Sequence, residues 1–527
     1  MKKWNIVGIL ALAQFVMVLD STVMNVSISA VVKDLNTNVN AMQAAITFYT
    51  LTMAALMLLG AKICSKWGLL KAFVIGSIIY GLGSFITSVS PNIQTLILGW
   101  SFIEALGAVL VIPAIASLVA VHYTGKDRVK AYALIGGVSG AAAAAGPLIG
   151  GFMTTYLSWR YVFFFETIIM IVVLIASRFF KQKSTATNEP INIPSALLSA
   201  IGMCMVVFGM LQSKTWGWIT PITKPIIFGH EIAPLGISLV AYLILFGSIV
   251  LWLFYDYQNK LESANKNPLL QVSMLKSSQL RAGLGVLMSQ YVIIGAVFFV
   301  VPIYLQMVNG LDALSTGVKL MPLSVALISF SIIGTKLVNT KSPRYIIRIG
   351  QILLVLGTVF LLAAVNKDLT GIPFAMAMFL AGAGLGLLAS QIGNINMSAV
   401  SEDQSSQVGG LQGTFQNLGS SLGTALIGSV LVATLTTSFL TSVSTSSLPQ
   451  TAKENIQGSV KTLQIVPADS VAPKAISAGA STEQAQEISN IYKDAQLDGL
   501  KQSLFILIVI AILSILLSRN IPNKILS

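Results

Sequence analysis

Charge is scarce in this chain, and so are the residues that build redox, metal or phosphate chemistry. Only 10% of the residues are Asp, Glu, Lys or Arg while 55% are hydrophobic; soluble domains carry roughly a quarter charged residues. A water-soluble globule is excluded, and a polytopic membrane protein is what this composition permits. The two cysteines, Cys64 and Cys204, lie in different apolar segments, which excludes a disulfide framework. With only His122 and His230, no histidine cluster for a metal can be assembled. No Gly-x-x-x-x-Gly-Lys-Ser/Thr loop occurs, which excludes an ATP-driven pump within this chain. No nucleophile–base pair or metal set emerges either, so neither an enzyme nor a cofactor is expected. The net charge of +13 is spread between apolar runs, a topological pattern that does not point to nucleic acid.

What the chain has in abundance is long apolar runs. Candidate transmembrane helices cover residues 6–31, 44–64, 70–89, 95–121, 129–154, 161–180, 193–216, 233–255, 284–308, 316–338, 346–365, 372–397, 408–436 and 500–517, each long enough to cross a bilayer at 1.5 Å per residue. The fold class is therefore all-α and polytopic. With a cytoplasmic N-terminus, most Lys and Arg fall in inner loops: Lys62, Lys66 and Lys71; Lys126, Arg128 and Lys130; Arg178, Lys181 and Lys183; Lys260, Lys266, Lys276 and Arg281; Lys336, Lys341, Arg344 and Arg348. Lys2, Lys3, Arg519 and Lys524 at the ends add to them. This positive-inside bias puts both termini in the cytoplasm of a cell membrane. The spans group as six, two and six. The expected units are a first bundle over 1–183, two extra helices over 184–256, a cytoplasmic linker over 257–280 containing Pro268, and a second bundle over 281–527. An outer loop spans 437–499; in it Ser481-Thr482-Glu483-Gln484 reads as a capping box. Ala485, Ile488, Tyr492 and Ala495 then recur at helical spacing, which predicts a small amphipathic helix on the membrane surface or on the outer rim.

Two features within the spans suggest function. The first is Ala141 to Gly151, AAAAAGPLIGG. Its small residues permit close helix contact and Pro147 removes a backbone donor, so a tight, kinked contact between moving parts is expected; the bland alternative is ordinary close packing. The second is three carboxyls inside spans: Asp20, about fourteen residues or ~21 Å into the first span, then Glu104 in the fourth and Glu166 in the sixth. Carboxyls at membrane depth are costly and are the groups from which proton relays and cation sites are built; a carboxyl that only bonds a neighbouring helix is the structural alternative. The second six spans carry no deep acidic residue. Amides recur instead, among them Asn25, Gln290, Gln306, Gln391, Asn394, Asn396, Gln412, Gln416 and Asn417. A cavity between the halves would then have one acidic and one amide wall, suited to an amphiphilic cation. Each single amide is also explained as interhelical glue. The candidate substrate contacts are Met24, Asn25, Trp100, Gln306, Asn394 and Gln416.

Several stretches together resemble the 14-helix drug:proton antiporters of the major facilitator superfamily. They are Leu19-Asp20-Ser21-Thr22-Val23-Met24-Asn25-Val26 in the first span; Gly146-Pro147-Leu148-Ile149-Gly150-Gly151 followed by Ser158-Trp159-Arg160-Tyr161; Pro302-Ile303-Tyr304-Leu305-Gln306 with Gly310, Gly317 and Pro322; and Gly409 to Gly423. The resemblance covers nearly the whole chain apart from the last outer loop. It implies two six-helix bundles with two extra central helices, and alternating access about a central cavity. It also implies export driven by the proton gradient. Gly146, Pro147, Gly150, Gly151, Lys66 and Gly68 would belong to the conformational motifs.

The departures are specific. In the loop between the second and third spans the family's acidic residue is Ser65, within Ala61-Lys62-Ile63-Cys64-Ser65-Lys66-Trp67-Gly68. In the fourth span the family's arginine is Ser101 and its glutamine is Glu104. An asparagine after the Trp-Arg element is Glu166, and two early glycines of the fifth-helix motif are Ala133 and Ala142. Asp20 thus lacks its usual basic neighbour while two carboxyls are new. The expected function is proton-coupled efflux of amphiphilic, cationic compounds, with Asp20, Glu104 and Glu166 coupling protons. The expected partners are a small molecule, protons and the bilayer, with a monomer as the working unit. The alternatives are export of a lipid or cell-envelope precursor, and a scaffold or receptor that has lost transport.

Overall fold

The computed structural model describes residues 3–37, 39–180, 190–227, 229–338, 340–365, 371–401, 404–460, 463 and 465–523. Lys2, Lys181, Lys183, Lys524 and the expected boundary at 183/184 lie outside the described residues. Fourteen helices long and apolar enough to cross a membrane occur among the described residues. In chain order they are α1 (Lys3–Asp34), α2 (Val39–Trp67), α3 (Leu69–Ser88), α4 (Ile93–His122), α5 (Gly125–Tyr156), α6 (Arg160–Ser177) and α7 (Ile193–Trp216). They continue as α8 (Leu239–Ser263), α9 (Ser278–Met307), α10 (Ala313–Leu337), α11 (Pro343–Ala363), α12 (Ile372–Met397), α13 (Ser405–Thr445) and α14 (Thr482–Leu517). A two-residue hairpin, Ile226–Ile227 against His230–Glu231, decorates the α7–α8 connection. Because the count is even, the start of α1 and the end of α14 lie on one face, here called the terminal face.

α1 to α6 pack among themselves, as do α9 to α14. α5 is shared: it packs on α1 in its own bundle and on α10 and α12 in the other. α13 is its counterpart, packing on α9 and α14 and also on α2, α4 and α7. α7 covers the α2–α13 seam, and α8 rests mainly on α7. α8 leaves Leu245, Phe246, Ile249, Trp252 and Leu253 exposed, as a helix bathed by lipid does.

The seams are made by small residues. A Cβ on Gly146 would collide with Thr22 Oγ1, and one on Gly150 would lie 2.8 Å from Val23. The opposite side of the same stretch faces the second bundle: a Cβ on Gly151 would meet the Ala313 carbonyl at 2.7 Å, and Gly317 of α10 closes on the Pro147 carbonyl. Nearer the terminal face, a Cβ on Gly136 would meet the Ala389 carbonyl at 2.5 Å. The alanine-glycine run therefore has both of its small faces occupied, one by each bundle. Gly68 alone separates α2 from α3; its φ of 89° is a value that L side chains rarely adopt. Lys66 sits half-buried in the last turn of α2.

Three differences from the sequence reading have physical causes. α8 runs to Ser263, seven residues into the expected linker; an Asp256–Lys260 ion pair at i,i+4 supports the extra turns, and Asn265 at φ 49° ends them. The segment after Asn265 is not a free tether. Leu269 and Leu270 are buried and their backbone N–H groups donate to Gln258 Oε1, while Gln258 Nε2 donates to Ser195 of α7. Finally, the amphipathic segment after Ser481 is not a separate surface helix. The capping box is present with both hydrogen bonds, and the helix it starts continues unbroken to Leu517 as α14. α13 is likewise longer than its apolar core, and the two extensions pair beyond the membrane. Tyr492 and Ala495 pack there with Leu435, Phe439, Val443 and Leu448, roofed by the short helices Gln450–Ser459 and Val471–Ser477. The apolar face of that segment is spent on the protein's own core.

Candidate functional site

Two places concentrate polar groups inside the spans. The first is a cluster of three carboxyls. α4 begins as a normal helix, widens into a π-helix over Ile97–Glu104, and returns to α from Ala105. π-segments inside α-helices are uncommon and recur at functional sites. This one carries Trp100 and Glu104, both buried. α3 approaches it closely because a Cβ on Gly83 would sit 2.5 Å from the Glu104 backbone nitrogen, and one on Gly107 would sit 2.4 Å from that of Tyr80. Ser84 Oγ then donates to Glu104 Oε2 at 2.8 Å and lies 3.5 Å from Glu166 Oε2. Trp100 Nε1 donates across to α1, to Asp20 Oδ1 at 2.9 Å and Oδ2 at 3.0 Å, while the Trp100 ring stacks on Tyr49 of α2 at 4.9 Å. One oxygen from each of Asp20, Glu104 and Glu166 lies within 4.8 Å of the others.

All three carboxyls are buried, with none more than 1% exposed. Among the described residues no ion pair reaches them. Glu104 Oε1 and Glu166 Oε1 have no hydrogen-bond partner within 3.5 Å. Two full charges at this spacing repel by about 3 kcal/mol or more even at an effective dielectric of 20, so simultaneous ionisation of all three is disfavoured. The spacing suits shared protons, or one cation held by three carboxylates. At the position of the family's arginine, Ser101 donates to the Ala45 carbonyl of α2 at 2.8 Å.

The second place is a cavity between the bundles, about 110 Å³, in the half nearer the terminal face. Its polar lining is Gln14 of α1, Tyr132 of α5, Gln290 and Tyr291 of α9, and Gln412 and Gln416 of α13. The remainder is aliphatic residues, glycines and Ser139. Among the described residues no carboxyl lines this cavity; the π-segment and the α3–α4 seam gather the acids inside the first bundle. From Gln14 to Asp20 is six residues of one helix, a rise of ~9 Å.

The expected site residues thus separate. Asp20, Glu104, Glu166 and Trp100 come together, and Gln416 lines the cavity. Met24 is buried in the main core. Asn394 is buried just beyond the cavity-lining Ile392 and Gly393, and Gln306 lies near the far end of α9 with Nε2 unpartnered. Neither of the last two is in the lining. The side chain of Asn25 lies outside the described residues. Gln14, Tyr132 and Tyr291 were not anticipated; an amide within the apolar first span, like Asn25 in the same span, was the available signal for Gln14. A third polar assembly explains the Ser-Trp-Arg element. Arg160 pairs with Asp34 at the end of α1 and donates to the Ser90 carbonyl, and Trp159 Nε1 donates to the same Asp34 at 3.0 Å. It clamps α1, the α3–α4 turn and α6 at the face opposite the termini.

The family model described as Major Facilitator Superfamily matches residues 10–424. The puromycin resistance protein pur8 of Streptomyces alboniger is 27% identical over 431 residues, 80% of each chain. The probable actinorhodin transporter of Streptomyces coelicolor is 24% identical, covering 81% of this chain and 72% of its own. Among solved structures, the human organic anion transporter MFSD10 (TETRAN) superposes with a TM-score of 0.59 at 10% identity, covering 98% of this chain and all of that one. At that identity the likeness concerns the fold.

Proposed function

Since the chain belongs to the major facilitator superfamily, a family of membrane transporters rather than enzymes, we propose that it exports amphiphilic small molecules from the cell by proton antiport. The observation that carries this is the buried cluster of Asp20, Glu104 and Glu166 on three helices, with Trp100 donating to both oxygens of Asp20. The terminal face is taken as cytoplasmic because Lys and Arg crowd the loops there. The likeness to a puromycin resistance protein supports the outward direction, since a carrier that confers resistance to a drug lowers its concentration inside the cell.

The coupling is indirect. Substrate and proton occupy separate places, so they do not compete for one carboxylate. α1 and α4 both run from the cluster to the cavity wall, and α1 is locked to α5 at Gly146 and Gly150. A proton leaving the cluster changes the charge that Trp100 and Ser84 hold in place. It thereby shifts α1 and α4 relative to α5, the helix that seals against α10 and α12. The amide-lined cavity meanwhile opens to one face or the other.

The test uses the full protein in proteoliposomes with an imposed pH gradient, tracking uptake of ethidium and of 7-amino-4-methylcoumarin. Wild type should concentrate at least one probe, and Asp20→Asn should lose gradient-driven uptake at least tenfold while still binding that probe. Normal gradient-driven uptake by Asp20→Asn would sink the mechanism. Loss of probe affinity in that variant would restore direct competition. Drive by a sodium gradient in place of a pH gradient would assign a cation to the cluster. A second reading, export of a lipid or cell-envelope precursor, is favoured by the folded hairpin that α13 and α14 raise beyond the far face. Thin-layer analysis of membrane lipids after deletion of the gene separates it from the first.

A further inference from the structure

Resting on the export reading, we infer that the cavity selects neutral amphiphiles carrying both a hydrogen-bond donor and an acceptor, with Gln290 and Gln412 as its specificity-determining residues. Among the described residues the lining contains no Asp, Glu, Lys or Arg. An ionised ligand placed there would give up its hydration without a counter-charge, which is the costly case for buried charge. The carboxyls of Asp20, Glu104 and Glu166 are enclosed in their own cluster and do not reach the cavity wall.

The lining is nevertheless not simply greasy. Gln290, only 5% exposed, leaves Oε1 without a partner, and Gln412 leaves Nε2 without one. Buried amide groups are nearly always satisfied, so an orphan on an amide that lines the wall is a group that a turn of its side chain would present to a ligand able to complete its hydrogen bonding. A carboxamide presents an acceptor and a donor side by side, so which way each amide is turned does not matter. The ligand must bring the complement of both. Gln14 and Gln416 add two more amides to the same wall, whereas Tyr132 already spends its hydroxyl on the Ala116 carbonyl and offers its ring. The recognised molecule is therefore an apolar, ring-sized body with a polar edge of mixed donor and acceptor character and no net charge.

The experiment is fluorescence binding by the purified full-length protein. Three probes are compared: 7-amino-4-methylcoumarin, neutral with an amine donor and a lactone acceptor; 7-dimethylamino-4-methylcoumarin, neutral without the donor; and ethidium, a cation. The aminocoumarin should bind about tenfold more tightly than either of the others, the ratio that one lost hydrogen bond gives. Gln290→Met, close in volume, should erase that advantage and leave the dimethyl compound unchanged; Gln412→Met, which removes a donor to the lactone that both coumarins carry, should weaken the two alike, and undiminished binding by that variant would count against the inference. Gln290→Glu should raise ethidium affinity by placing a counter-charge in the wall. Tighter binding of ethidium than of the aminocoumarin by wild type would overturn the inference. So would equal losses for both coumarins in Gln290→Met, and so would failure of both coumarins to bind. Gradient-driven ethidium export would refute the neutral-ligand inference while leaving antiport intact. The expected binding pattern without any gradient-driven flux would do the reverse.

Discussion

At the scale of single residues, the donor to Asp20 is the most consequential group outside the carboxyls. Trp100→Phe keeps an aromatic ring beside Tyr49 and removes, along with the smaller half of the indole, the N–H held by both oxygens of Asp20. A hydrogen bond to a charged group contributes about 1.5–3 kcal/mol, so proton-driven export should slow roughly ten- to a hundredfold and its pH profile should move. A profile superimposable on wild type would reduce Trp100 to packing. Outside the membrane, Asp312 caps α10 by accepting from the Ser315 backbone N–H, and the hydrogen bonds from Ser315 hold its carboxyl below the ordinary 3.8. A depressed carboxyl stabilises the folded state above its unfolded value and loses that contribution as pH falls through its folded value. Asp312→Ala should therefore lower stability by about 1 kcal/mol near neutrality, with the gap to wild type closing below about pH 4. A gap that does not change with pH would deny the ionised cap. Asp20 and Glu166 were legible in the sequence because a carboxyl within an apolar run stands out. Their meeting was not, since it depends on how closely Gly83 and Gly107 let two backbones approach.

Elements show the same division. Hydropathy finds fourteen spans because the bilayer imposes length and composition on each. It does not see where a helix outlasts its apolar core, and so α13 and α14 read as ordinary spans with a loop between them. The π-turn of α4 is invisible for a related reason: it alters the hydrogen-bond ladder and leaves the apolar pattern intact. The cap of α14 was readable, and it is testable. Ser481→Ala removes a side chain that accepts from the Gln484 backbone and should cost about 1 kcal/mol locally. Limited proteolysis should then cut the hairpin faster while the membrane-embedded core stays resistant; unchanged cleavage would show that the packing around Tyr492 alone holds the extension. The small-residue stretch of α5 was legible as a tight contact, but its two partners were not, because sequence spacing cannot say which helices flank a bare face.

For the whole molecule, the seam between the bundles is where motion can be arrested. A Cβ at Gly137 would lie 3.1 Å from Ser331 Oγ on α10. After Cys64 and Cys204 are replaced by Ser, the pair Gly137→Cys and Ser331→Cys should form a disulfide on oxidation and stop transport, with recovery on reduction. Undiminished flux in the cross-linked protein would mean that α5 and α10 travel together and that access alternates elsewhere. The global arrangement was readable from the order of motifs and the succession of apolar runs. The separation of the acids from the cavity was not, because it arises from packing across several helices.

α13 has one further property. It is a single helix from Ser405 to Thr445; at one end it forms part of the cavity wall, and at the other it runs past its apolar stretch, paired with α14. From Gln416 to its tip is a rise of ~45 Å. A straight rod pivoting near its base behaves as a gauge needle: a tilt of a few degrees at the cavity becomes a sweep of several ångströms at the tip. Fluorophores attached to the hairpin and to the neighbouring rim would give a reporter of each turnover, far enough from the cargo to leave its passage undisturbed.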